Sequence, residues 1–270
     1  MSKTAAVSVI IPCFRCAKTL ERAVASVAAQ TVLPMELVLV DDASQDGTRA
    51  LLYELRERYK PGWVKLVLLD QNVGAGSARN AGWAAASQPM IAFLDADDAW
   101  HLRKIEVQYG YMVANPDVLM SGHECRFLKQ EVLPYWELGK EAAQPVSKWR
   151  MIFKNQFVTP SVMVRRDIQH RFIERQRYME DHMLWMRIVC TSTRVVKLPV
   201  ALAAIYKNPF GVTGLSSQIW LMERSDLGNY QRLYKDRCIN AIQFSILVLY
   251  SILKYVRRLM IYTAYLRWKK

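Results

Sequence analysis

Residues 90–98, Met-Ile-Ala-Phe-Leu-Asp-Ala-Asp-Asp, run five apolar positions directly into three carboxylates within four residues. An apolar run this short, closed by polar residues, reads as a strand buried on both faces, with the acids marking its carboxyl end. Three similar runs precede it: VSVII (7–11), stopped by Pro12, ELVLVD (36–41) and VKLVLL (64–69). Helical spacing fills the gaps. In TLERAVASVAA (19–29) Leu20, Val24 and Val27 share a face behind Thr19 as cap; residues 48–59 and ARNAGWAAA (78–86) follow. Strands alternating with helices predict an α/β fold, a doubly wound and mostly parallel sheet. In such sheets the chemistry gathers beyond the carboxyl ends of the strands.

After residue 120 the pattern loosens. Leu119–Leu128, Ser161–Arg165, Val195–Leu198 and Ala201–Tyr206 read as strands, and Glu180–Cys190 as a helix. A helix is expected over Trp100–Asn115, and from Ser216 onward the chain reads mainly helical.

The chain has 270 residues, and its 37 Lys+Arg against 24 Asp+Glu give a net charge of +13. With 52% apolar and 23% charged residues it has the composition of a folded globular protein. The charge is divided unevenly. Residues 1–120 hold 12 basic and 13 acidic side chains (net −1), residues 121–270 hold 25 and 11 (net +14). A basic back half points to an anionic partner there. No secretory leader opens the sequence, which suggests a cytoplasmic protein. The longest charge-free stretch, between Arg237 and Lys254, is 16 residues and is interrupted by Asn240 and Gln243. A membrane-spanning helix needs about 20 apolar residues, so none is expected.

The strand ends carry the functional signal. Asp41-Asp42 ends the second run, Asn72-Val73-Gly74-Ala75-Gly76-Ser77-Ala78-Arg79-Asn80 follows the third, and Asp95-Ala96-Asp97-Asp98 closes the fourth. Three carboxylates so close together resist ionising unless a cation joins them. A hard divalent ion, Mg²⁺ or Mn²⁺, suits oxygen donors of this kind and touches substrate phosphates as well. The bland alternative is a solvated turn whose aspartates cap the next helix. Gly74-Ala75-Gly76 lacks the third glycine of a dinucleotide fingerprint and follows the wrong strand, which argues against NAD. Arg79 suits a phosphate or base contact, or else a salt bridge to Asp41 or Asp95. Cys13-Phe14-Arg15-Cys16 sits where a redox pair could, but beside an acidic rim it reads as buried thiols. His123 and His182 lack metal-ligand spacing and read as satisfied core histidines.

VSVIIPCF (7–14), LVLVDDAS (37–44), NVGAGSARNAG (72–82), FLDADD (93–98) and Tyr178-Met179-Glu180-Asp181 with DHMLWMRI (181–188), in that order, resemble the family 2 glycosyltransferases of GT-A fold. The resemblance covers about residues 6–210. It implies that Pro12, Phe14 and Asp42 border a nucleotide base, with Asp42 accepting from uracil and Arg79 beside base and ribose. Asp97 would face the ribose, Asp98 would hold the Mn²⁺ or Mg²⁺ bridging the diphosphate, and Asp181 would be the catalytic base. Two departures stand out: Arg15 replaces the family's usual Asn, and His101-Leu102-Arg103-Lys104 lacks a frequent proline.

The implied reaction is inverting transfer from a nucleotide sugar, UDP-linked, to a saccharide acceptor, lipid-linked in bacterial surface polysaccharide synthesis. Glu180 and Trp185 would border the acceptor, Trp185 sharing the face of Asp181 either as a sugar platform or as core. The Pro209–Ser217 loop, behind Tyr206-Lys207-Asn208, would close over the diphosphate. Two other readings use the same residues. A metal-dependent nucleotidyltransferase acting on a sugar phosphate would release pyrophosphate, and a non-catalytic membrane-surface module would bind no nucleotide.

The tail is separate. After Asp236 there is no acid, whereas Arg237, Lys254, Arg257, Arg258, Arg267, Lys269 and Lys270 are basic. Ile242, Ile246, Leu249, Leu253, Val256 and Met260 form one helical stripe; Asn240, Gln243, Ser251, Lys254, Arg257 and Arg258 gather in a polar wedge. A broad apolar face with a basic edge suits a membrane interface carrying anionic lipid. The same stripe suits packing on the catalytic domain or a homodimer seam. Nucleic acid fits poorly, because the basic residues lie among aliphatic runs. The expected organisation is a catalytic domain over 1–215, with a nucleotide-sugar half (1–120) and an acceptor half (121–215). A basic amphipathic helical extension follows over 216–270, placing the protein on the inner face of the cell membrane.

Overall fold

The computed structural model describes residues 3–128, 133–139, 142–192, 194–206 and 218–268. The expected Pro209–Ser217 loop and the 215/216 boundary lie outside the described residues. The chain divides into two compact units, residues 1–207 and 208–270.

The first unit is a mixed α/β fold with a mostly parallel central sheet. Its elements are β1 (Thr4–Cys13), α1 (Leu20–Ala28), β2 (Leu33–Asp41), α2 (Thr48–Arg58), β3 (Val64–Leu68), α3 (Ala75–Ala85), β4 (Met90–Phe93), β5 (Ala99–Trp100) and α4 (Lys104–Ala114), then β6 (Met120–Phe127), β7 (Gln144–Pro145), α5 (Lys148–Phe153), β8 (Met163–Arg165), α6 (Glu180–Thr191) and β9 (Val195–Ile205). The strand order is β3-β2-β1-β4-β8-β6-β9-β5, with β7 paired to β9. β3, β2, β1 and β4 run parallel, β8 is antiparallel between β4 and β6, and β6 and β9 are parallel. Register decides where the acids go. Cys13 lies opposite Asp41 and Ile10 opposite Phe93, so the carboxyl tips of β1, β2 and β4 form one rim.

The β-branched run of β1 explains its central place: Val7, Val9, Ile10 and Ile11 are fully buried, as continuous apolar strands covered on both faces must be. α3 lies close against the sheet. A Cβ on Gly82 would sit 2.5 Å from Ile10 Cγ2 and 2.9 Å from Val40 Cγ2, so the helix approaches this near only because residue 82 has no side chain.

Three local expectations change. α4 starts at Lys104 instead of Trp100, because Ala99-Trp100 pairs with Ala204 and Ala203 on β9 as strand β5. The two short strands near residue 200 are one, β9, whose partner β6 absorbs the break as register shifts around Glu124. Thr19 occupies the N-cap of α1 without capping it; its hydroxyl donates to the Cys16 carbonyl at 3.4 Å. His123 and His182 are buried and engaged, with ring nitrogens 2.8 Å from the Glu124 carbonyl and 2.7 Å from the Met151 carbonyl.

The second unit contains α7 (Ile219–Lys235) and α8 (Ala241–Trp268). Asn240 and Gln243 exchange backbone-to-side-chain hydrogen bonds at 2.9 and 3.0 Å, a reciprocal cap at the start of α8. Leu247 and Ser251 are buried, and Lys254 reaches Asp226 of α7 at 3.5 Å. The Ile242–Met260 stripe faces outward on all six of its residues, from 39% exposure at Val256 to 72% at Ile242. Among the described residues no helix is long and apolar enough to cross a membrane.

Candidate active site

Two adjacent acids end β2, and each fixes a different loop. Asp41 is fully buried; it accepts from the Ser44 backbone N–H at 3.1 Å and from Arg49 Nε at 2.8 Å, closing the turn into α2. Asp42 is also buried and accepts from the N–H of Val73 at 2.7 Å, the N–H of Gly74 at 3.0 Å and Asn72 Nδ2 at 2.9 Å. Its carboxylate therefore clips the glycine-bearing loop to the end of β2. Oδ2 takes two of these donors and Oδ1 takes one, so Oδ1 keeps a lone pair for a further donor. Pro12 and Phe14 stand beside it at the tip of β1, and Phe14 is 44% exposed.

Past β4 the chain turns through a hydrogen bond from the Asp98 N–H to the Asp95 carbonyl, 3.1 Å. The turn gathers Asp95, Asp97 and Asp98 so that a carboxylate oxygen of each lies within 4.8 Å of the others. Asp98 is buried, and its Oδ1 accepts from the Tyr206 N–H at 3.4 Å. The Asp97 carbonyl accepts from Arg22 Nη2 at 2.6 Å, which steadies the turn from α1. Three hard oxygen donors at this separation fit Mg²⁺ or Mn²⁺.

Arg79 joins this turn to α6. Its buried guanidinium donates to Asp95 Oδ1 at 2.7 Å and to Glu180 Oε1 at 3.2 Å, and lies over the Phe172 ring at 5.4 Å. Of the alternatives for Arg79, the salt bridge to Asp95 is the one present, with Glu180 as a second partner. At 4% exposure its guanidinium braces the rim and offers little surface to a base. Gly76 makes room for Glu180, since a Cβ there would lie 3.0 Å from Glu180 Cγ and 3.3 Å from Phe172 Cβ.

α6 opens with Met179 in a left-handed conformation, φ 54°, and carries Glu180 and Asp181 in its first turn. A helix N-terminus favours negative charge there. Burial, reinforced by the neighbouring Asp181 charge, pushes the Glu180 carboxyl up to about 7 despite Arg79. Asp181 accepts from the His182 N–H at 2.6 Å and from Asn155 Nδ2 at 3.4 Å.

Trp185 does not floor an acceptor: it is fully buried, with its ring 6.0 Å from Phe172 and 6.3 Å from Phe93. Its ring packs against Phe93 and Phe172 and belongs to the core. Asn155, Phe172 and Arg177 were not legible beforehand. Asn155 and Phe172 lie where periodicity is weak, and Arg177, which donates to Asn72 at 3.2 Å, carries no local signal.

Comparison with known proteins places this geometry. The family model described as glycosyl transferase family 2 matches residues 8–168. The UDP-Glc:alpha-D-GlcNAc-diphosphoundecaprenol beta-1,3-glucosyltransferase WfgD of Escherichia coli is 30% identical over 184 residues, spanning 68% of this chain and 69% of its own. The amylovoran biosynthesis glycosyltransferase AmsE of Erwinia amylovora is 30% identical over 198 residues, 70% of each chain. An uncharacterised glycosyltransferase of Nostoc is 44% identical over 100 residues, and the chain spans only 30% of its length. Among solved structures, S. aureus TarS in complex with UDP-GlcNAc aligns with a TM-score of 0.67 at 20% identity, over 90% of this chain and 70% of that one. Mannosyltransferase PcManGT of Pyrobaculum calidifontis, in complex with GDP-Man and Mn²⁺, aligns at 0.66 and 16% identity, over 94% and 70%. At such identities these two show a shared fold.

Proposed function

From the premise that the chain belongs to glycosyl transferase family 2, we propose that it is an inverting glycosyltransferase moving a sugar from a UDP-linked donor to a lipid-linked saccharide acceptor. The observation that carries this is the convergence of Asp95, Asp97 and Asp98, tied through Arg79 to the helix bearing Asp181. One rim thus holds a phosphate-side acid cluster and an acceptor-side base.

The nucleotide base would lie between Pro12, Phe14 and Asp42, whose Oδ1 would accept from uracil through its remaining lone pair, and Asp97 would meet the ribose. Asp98 would hold Mn²⁺ or Mg²⁺, which when bound stabilises the charge gathering on the departing diphosphate. Asp181 would take the proton of the acceptor hydroxyl as that oxygen attacks opposite the leaving group. Glu180, whose carboxyl burial pushes up to about 7, sets less negative charge beside Asp181 than an ordinary carboxylate would. WfgD's name states a UDP-Glc donor and a diphosphoundecaprenol acceptor, and TarS was solved with UDP-GlcNAc; both favour the UDP and lipid-linked readings.

The outward apolar stripe of α8 supports peripheral attachment to the inner membrane face, beside such an acceptor. Arg257 and Arg258 flank it, and each basic residue near anionic lipid adds ~1 kcal/mol. Truncation before residue 238 is expected to abolish pelleting with anionic vesicles; unchanged pelleting would remove this part.

The deciding experiment offers a panel of nucleotide sugars with Mn²⁺ or Mg²⁺ and identifies the product. Release of a nucleoside diphosphate supports glycosyl transfer, whereas pyrophosphate would indicate nucleotidyl transfer. Failure of UDP to bind with or without Mn²⁺ would end the reading.

A further inference from the structure

Asp181 is held at both of its oxygens, from two different parts of the chain. Oδ1 accepts from the N–H of the next residue, His182, at 2.6 Å, and Oδ2 accepts from Asn155 Nδ2 at 3.4 Å. The first contact lies within the opening turn of α6. By itself it leaves the carboxylate plane free to turn, because the terminal torsion of an aspartate is broad and roughly twofold. The second reaches across from the segment that follows α5, 26 residues earlier. Both residues are half-buried, and each carboxylate oxygen keeps a lone pair for an incoming hydroxyl.

Asn155 is itself fixed by its surroundings. Its Oδ1 accepts from the Phe157 N–H at 3.2 Å, which turns the NH₂ end of the amide toward Asp181. Phe157 is buried with its ring in a notch on β6. A Cβ on Gly122 would lie 2.1 Å from Phe157 Cδ1, so the ring seats there only because residue 122 is glycine. Between the two, Gln156 Nε2 donates to the carbonyls of Arg150 at 3.1 Å and Lys154 at 2.8 Å, tying the segment to the end of α5. α5 in turn meets α6 one residue past the acid, where His182 Nε2 lies 2.7 Å from the Met151 carbonyl.

We propose that Asn155 is a positioning residue for the transfer step, its amide setting the plane of the Asp181 carboxylate so that a lone pair faces the acceptor hydroxyl. The inference rests on the reading of Asp181 as the base. A base acts only within hydrogen-bond reach of the proton it takes, and a misplacement of about 1 Å costs on the order of 10²-fold in rate. Without Asn155 the carboxylate swings about its remaining donor, the His182 N–H, and the proton-accepting geometry becomes one of several. The hydrogen-bond partners of Asn155 are Asp181 and Phe157, not the Asp95–Asp98 turn or the loop at 72–74. Its role therefore belongs to kcat and not to donor binding.

The test measures UDP released by the full-length protein from UDP-Glc, with Mn²⁺ and the GlcNAc-diphosphoundecaprenol acceptor that WfgD's name states. Asn155→Asp keeps an oxygen for the Phe157 N–H but removes the donor to Asp181, so it separates positioning from folding; Asn155→Ala removes both. Each should lower kcat by about 10–100-fold, with KM for UDP-Glc and the calorimetric affinity for UDP within about twofold of wild type. On an Asp181→Asn background Asn155→Ala should add less than about twofold, since no base is left to orient. The Asp variant decides even where the Ala variant folds poorly. Asn155→Asp with wild-type kcat would overturn the proposal, and so would a loss confined to donor KM or one fully additive with Asp181→Asn. A wild-type protein that releases no UDP removes the glycosyl-transfer reading and this role with it, whereas an active wild type with unaffected variants removes the role alone.

Discussion

Asp41-Asp42 and Glu180-Asp181 are both adjacent acid pairs at an element boundary, yet the structure uses them differently. The first pair is buried and supplied with donors from two loops, so both carboxylates hold backbone in place. In the second, Glu180 is engaged by the buried Arg79, while Asp181 has one backbone donor and one long side-chain contact. Similar chemistry in the chain becomes architecture in one place and, on the proposed function, reactive capacity in the other. What separates them is the supply of nearby N–H donors, not residue type.

Four substitutions probe that contrast, beginning with the largest effect. Asp181→Asn and Asp98→Asn should each reduce nucleoside diphosphate release by about 10²–10⁴-fold while leaving the melting temperature nearly unchanged. A collapse of the fold in Asp181→Asn would move this residue into the structural class and erase the distinction. Asp41→Ala should do the reverse, costing about 2–3 kcal/mol in chemical denaturation because it strands the Ser44 N–H and Arg49. Gly82→Ala, away from both pairs, should cost about 1–3 kcal/mol by overpacking Ile10 and Val40, which calibrates the loss from a purely architectural change.

The Glu180 effect is smaller and depends on pH. Its folded carboxyl titrates at about 7, above the ordinary carboxylate range, so the folded state holds the proton that the unfolded chain has released. Stability should fall as pH rises from about 4.5 to about 7, by at most ~1–3 kcal/mol. Glu180→Gln should flatten that slope in thermal melts recorded across the interval. An unchanged slope would mean that Arg79 keeps Glu180 ionised, making it resemble Asp41.

The parallel core was legible because its strands are continuous apolar runs. VSVII, ELVLVD, VKLVLL and MIAFLD correspond to β1 to β4, each extended or trimmed by a few residues. Beyond residue 120 strands are shorter and some pair antiparallel, so the local pattern weakens; β5, β7 and α5 left no trace that periodicity could separate from loop. Trp185 shows the limit at the site. Its spacing from Asp181 allowed either a sugar platform or core, and only the packing of Phe93 and Phe172 chose core.

Composition and order along the chain were enough to determine the strand–helix alternation, the acids at the strand tips and the apolar stripe of the last helix, since each is a matter of local period and neighbouring residues. Tertiary structure alone decided that Arg79 would bind Asp95 and Glu180, 16 and 101 residues away, and that Asp42 would hold the loop at 72–74. Such partnerships depend on which donors the fold brings within hydrogen-bond reach of an acid, and no spacing in the linear chain encodes that distance.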